Sequence, residues 1–122
     1  MKKLFKIVLV SSLGLLCFSC YYNEFPEEEE VVIDPEQDVS FADDILPIFA
    51  LYSCSDCHKP SGQNPDLTEA NAYNALVPAY VSAGNSNGSS LYTQLAINGH
   101  RNVDAESLAL IKKWIDDGAQ NN

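Results

Sequence analysis

Cys54-Ser55-Asp56-Cys57-His58 sets two thiols three positions apart with an imidazole directly behind them. On one turn of helix such thiols face the same side. Each is then placed to add to a haem vinyl group as a thioether, while the adjacent His reaches the iron from below. This C-x-x-C-H spacing is the c-type haem attachment pattern. Two other chemistries use the same residue types. A Cys54–Cys57 disulfide of the thioredoxin-like kind needs a βαβ context, which the flanking sequence lacks. Zinc held by Cys54, Cys57, His58 and His100 has the right ligand count, but His58 is badly placed to share one tetrahedral ion with its neighbour Cys57. The pattern predicts one covalent haem c on Cys54 and Cys57, with His58 as an iron ligand.

Working outward, the residues around this motif read as one domain over 39–122, about 84 residues. At that size a core of side chains alone is marginal, and a cofactor can complete it. Ser40 caps a predicted helix with the apolar stripe Phe41, Ile45, Ile48, Phe49 and Tyr52, and Asp43 takes the capping-box position. Pro47 should kink that helix or shorten its first part. Thr68 is expected to cap a second helix that Pro78 ends. SAGNSNGSS (82–90) is turn-rich, a third helix spans Ser90 to Ile97, and the last runs from Asp104 to Gly118 with Leu108, Ile111, Trp114 and Ile115 on one face. No segment alternates convincingly as a strand does. The fold class expected is all-α.

Upstream, residues 1–19 open on Lys2, Lys3 and Lys6 and continue as the apolar run IVLVSSLGLL (7–16), the build of a secretory signal and too short to span a membrane. Ser19-Cys20 resembles the junction of a bacterial lipoprotein signal, in which the Cys is lipidated. The position three before it, usually Leu, is here Cys17. The expectation is export and lipid anchoring at Cys20, on the periplasmic side or at the cell surface, to the inner or outer membrane. Residues 20–38, with Glu27 to Glu30 in a row and Pro26 and Pro35, then form an acidic flexible tether.

Charge excludes some functions. Seventeen acidic residues face seven basic ones, for a net of −10, and three of the seven lie in the signal. Such a surface lacks the counterion-release drive of nucleic-acid binding. A redox partner protein with a basic docking patch is permitted but not required. Tyr73, Tyr80 and Tyr92 read as core or rim aromatics, and Lys112 and Lys113 as a solvated helix face.

With these residues in place, the chain resembles the class I cytochrome c family over about Phe41 to Gln120. DILPIF (44–49) is similar to the family's first helix, Asn64-Pro65-Asp66-Leu67 to its Pro-x-Leu segment, GNSNGSSLYTQL (84–95) to the following loop and helix, and LALIKKWIDDGA (108–119) to its terminal helix. The resemblance implies a small fold of three to five short helices wrapped around the haem. It implies that the Pro65 carbonyl accepts the His58 Nδ1–H, that Leu67 packs on the ring, and that Trp114 and Ile115 meet Ile45 and Phe49. The implied function is single-electron transfer by a monohaem cytochrome, an electron carrier and not an enzyme.

The departure lies in the second iron ligand. The family usually supplies a Met before its last helix, whereas the only Met here is Met1. The loop instead carries His100, four residues before the helix cap Asp104, and bis-His ligation by His58 and His100 is expected. Such a haem has a lower potential than a Met/His one. Arg101 could pair with a haem propionate. Two alternatives stay open: a haem sensor or peroxidase-like protein with an open distal site, and a haem-free interaction lipoprotein with a Cys54–Cys57 disulfide.

Overall fold

The computed structural model describes residues 31–122. The signal segment, Cys17, the lipidation candidate Cys20 and the tether up to residue 30 lie outside them. Among the described residues every regular element is helical and no strand forms, in agreement with an all-α class. No helix among them is long and apolar enough to cross a membrane.

The first element is a wide π-helical turn, Phe41–Ile45, running into α1 (Leu46–Leu51). The Ser40 hydroxyl accepts the Asp43 N–H at 3.2 Å, as a cap should. The reciprocal carboxylate is Asp44, not Asp43: its Oδ2 accepts the Ser40 N–H at 2.7 Å. The extra residue in the turn shifts the capping box by one position. Pro47 stands in the first turn of α1, where its missing N–H costs least. The expected break at Pro47 is thus a change of helix type just ahead of it.

α2 (Ala72–Leu76) is shorter than expected, and Thr68 does not cap it. Asp66 accepts the N–H and the hydroxyl of Thr68, at 3.0 and 2.6 Å, and the Asn71 amide at 2.8 Å. With its hydroxyl donating, Thr68 closes a turn, and the helix begins four residues later. Val77 then turns extended before Pro78, as a residue preceding proline must. α3 (Ser90–Ala96) and α4 (Ala105–Asp116) fall close to expectation. Asp104 caps α4 through the Ser107 N–H at 2.8 Å.

One side of α4 makes the main core. Ile111, Trp114 and Ile115 are buried against the Phe41–Ile45 turn. Phe41 meets Trp114 and Tyr73 with ring centroids 5.2 Å away from each, so Phe41 is the principal ring partner of Trp114. The Trp114 indole donates to the Gln120 carbonyl and the Tyr73 hydroxyl to that of Ala119, both at 2.9 Å, which satisfies their polar ends inside the core. Tyr73 is therefore a core aromatic. The turn-rich loop contributes two buried serines: the Ser89 hydroxyl donates to the Asn85 carbonyl at 2.8 Å, and the Ser86 N–H donates to Asp116 at 2.9 Å.

Lys113 departs from the solvated face expected of it. Its side chain is 16% exposed, pairs with Asp117 at 2.7 Å and donates to the Pro35 carbonyl at 3.1 Å. The end of the tether, otherwise exposed over 34–38, is therefore fastened to α4.

Candidate cofactor site

The attachment motif follows α1 directly. Tyr52 ends the helix, Ser53 turns left-handed at φ 52°, and Cys54–Asp56 forms one 3-10 turn. His58 N–H and Cys57 N–H both return to the Cys54 carbonyl, at 2.9 and 3.3 Å. This turn buries Cys54, leaves Cys57 exposed and half-buries His58. Both thiols are free. Burial pushes the Cys54 thiol above its ordinary pKa, and the Arg101 charge offsets part of that rise.

Beside the turn lies a cavity of about 320 Å³, the size range of small-molecule sites. α1 gives it Ile48 and Phe49, α2 gives Leu76, and α3 gives Leu91 and Leu95. The segment after the motif gives Pro65 and Leu67, and the loop before α4 gives His100 and Val103. Cys54 and His58 line it too; Cys57 does not. Gln63, Asn64, Ser90 and Gln94 supply polar groups on the same walls.

His58 is oriented from behind. Its Nδ1 lies 3.1 Å from the Pro65 carbonyl. A carbonyl only accepts, so Nδ1 carries a proton in this contact, which leaves Nε2 as the nitrogen available to a metal. The Leu67 N–H donates to the His58 carbonyl at 2.9 Å, which fixes the Pro65–Leu67 segment against the motif. The ring centroids of His58 and His100 lie 6.1 Å apart with their planes at 82°. A metal–imidazole bond of about 2 Å places a ring centroid about 3 Å from the metal, so two imidazoles that shared one metal ion would have centroids up to about 6 Å apart. The observed separation fits that requirement.

Comparison of the chain with family models, with curated proteins and with solved structures returned no match.

Of the site residues named from the sequence, Cys54, His58, Pro65, Leu67 and His100 thus line one cavity, with Cys57 outside its lining and Cys20 beyond the described residues. The four-ligand zinc arrangement does not form. Among the described residues, no group of three or more His, Cys, Asp and Glu side chains gathers to hold a metal ion. The Arg101 Nη2 donates to the Ser53 carbonyl at 3.2 Å. Sequence reasoning also missed Tyr52 as a contributor. Its hydroxyl accepts the Asp104 N–H at 3.0 Å and donates to the Asp104 carboxylate. The Ser107 N–H, and after it the Tyr52 hydroxyl, hold that carboxyl below its ordinary pKa. No local pattern announces either contact, because the partners are 48 and 52 residues apart.

Proposed function

We propose that this chain is a monohaem c-type cytochrome of class I kind, an exported, lipid-anchored carrier of single electrons. The observation that carries the proposal is the pair His58 and His100, 6.1 Å apart beside a cavity that also takes in Cys54. The donor set fits a haem: thiols for attachment, two imidazoles for the iron, and apolar walls with a polar fringe. Bound there, the group would supply one-electron exchange between ferric and ferrous iron.

The chain's own residues would do the rest. Cys54 and Cys57 would hold the group by thioethers, and His58 and His100 would ligate it. The Pro65 carbonyl fixes the His58 tautomer and makes the ring a better donor at Nε2. Leu67, Leu76, Leu95 and Ile48 exclude water, which disfavours charged states beside them. Two imidazoles place the potential below that of a Met/His site. Export and lipid anchoring rest on the pattern in residues 1–20 alone.

Covalent haem staining under denaturing conditions tests attachment, and a Cys54–Cys57 disulfide protein would not stain. The ferric spectrum then tests ligation. Six-coordinate low-spin iron that turns high-spin on His100→Ala is the expected result. An unchanged spectrum in that variant would falsify ligation by His100. The exposure of His100 favours a second reading, in which this ligand gives way to an outside one; ready binding of CO to the ferrous protein would establish it.

A further inference from the structure

Two sets of hydrogen bonds tie the residues flanking the attachment motif to the residues flanking His100. On one side stand Tyr52 and Ser53, immediately ahead of Cys54. On the other stand Arg101, immediately after His100, and Asp104, the cap of α4. Arg101 reaches back to the Ser53 carbonyl at 3.2 Å, and the Tyr52 hydroxyl both accepts from and donates to Asp104.

The backbone at both ends of this junction is unusual. Ser53 has φ 52°, Arg101 φ 67° and Asn102 φ 49°, all left-handed without being glycine. L-residues visit that region at a cost, and such residues persist where surrounding contacts over-determine them. Here the two strained residues Ser53 and Arg101 are the two ends of one hydrogen bond. The loop they shape, 97–103, is otherwise thinly held: Ile97, Asn98, Gly99, His100, Arg101 and Asn102 are all exposed, and Val103 alone is buried.

The geometry points to a latch: Tyr52 with Asp104, and Arg101 with Ser53, are positioning contacts that keep the His100 imidazole facing His58. The inference rests on the proposed haem site for its consequence, since a loosened loop would let an outside ligand replace His100. A ligand that binds only the detached state has an apparent affinity equal to its intrinsic affinity multiplied by the fraction of time the loop is detached. Removing a hydrogen bond present only in the attached state raises that fraction by about threefold to tenfold.

The test uses the full chain with Tyr52→Phe and Arg101→Ala, each alone. Tyr73→Phe serves as the control, since it removes a comparable hydroxyl contact, to Ala119, away from the loop. In the haem-free chain, amide hydrogen exchange over 97–103 should quicken about threefold to tenfold in both latch variants and stay unchanged in the control. In the haem-loaded ferrous protein, CO affinity should rise by the same factor in the same two variants. Arg101→Lys, which keeps a donor, should recover part of the effect. Exchange over 97–103 that matches the unaltered chain in both latch variants, or that quickens equally in Tyr73→Phe, overturns the latch. So does a quickened loop with CO affinity unmoved. A chain whose loop loosens as expected but which stains for no covalent haem overturns the functional proposal and leaves the latch standing.

Discussion

Withholding the haem should cost the fold a calculable amount of stability. The cavity beside His58 measures about 320 Å³ and its walls include Ile48, Phe49, Leu67, Leu76 and Leu95. An unfilled apolar cavity costs on the order of 24 cal/mol per Å³, giving an upper limit of about 8 kcal/mol for one this large. The cavity has a mouth, and walls near it can close or take up water, so about half that value, ~4 kcal/mol, is the expected cost. Domains of this size have total stabilities of about 5–15 kcal/mol, so the loss is a large share. At about 4–8 °C per kcal/mol it corresponds to a melting temperature lower by about 15–30 °C. The assay compares melts at 222 nm of the full chain produced with and without a haem-attachment system. Covalent haem is confirmed by staining in the first sample. Transitions that coincide within a few degrees would show that the cavity is not a space the fold needs filled, and the reasoning would fail.

Other consequences are more local. Asp104→Ala removes the cap of α4 and should destabilise the domain by about 1 kcal/mol in denaturant titration. Because the folded-state pKa of Asp104 is depressed, its contribution is complete above the unfolded value near ~3.9 and disappears as pH falls through the folded value. The pH dependence of stability below about pH 4 should therefore flatten in Asp104→Asn, and a curve parallel to that of the unaltered chain would count against it. Ile111→Ala, at a fully buried position, should cost about 2–5 kcal/mol in the same titration. In the haem-free chain, iodoacetamide should alkylate Cys57 well before Cys54, since Cys57 is exposed while burial keeps Cys54 protonated. Peptide mass spectrometry reads the order, and equal rates would contradict it.

Much of this architecture was legible because its signals are local. C-x-x-C-H carries its meaning within five residues, and Ser40 and Asp104 announce helix starts by side chains that reach only three positions ahead. The apolar stripes from Phe41 to Tyr52 and from Leu108 to Ile115 follow helical periodicity and are buried or half-buried as expected. The errors came where one side chain had competing partners. Thr68 has the composition of a cap, but Asp66 two residues earlier captures its hydroxyl. Asp43 and Asp44 were both available to Ser40, and the wide turn selected the second. Lys113 looked solvated because nothing nearby in sequence shows that Pro35 lies above it, 78 positions away. Ser86 and Ser89 sit in a segment whose composition signals exposure, yet both are buried because backbone and Asp116 partners surround them.

α4, the longest described helix, contributes no residue to the cavity wall; that side of the cavity is furnished by His100 and Val103, ahead of its cap. The domain is thus built like a keel and a hold. Trp114 and its neighbours carry the weight of folding, while the shorter helices and loops shape the space in which chemistry would occur. Drift in the keel's outer residues can proceed without retuning the hold. The two compartments meet where α3 packs on α4 and where Tyr52 bonds to Asp104, and a change at either place is felt on both sides.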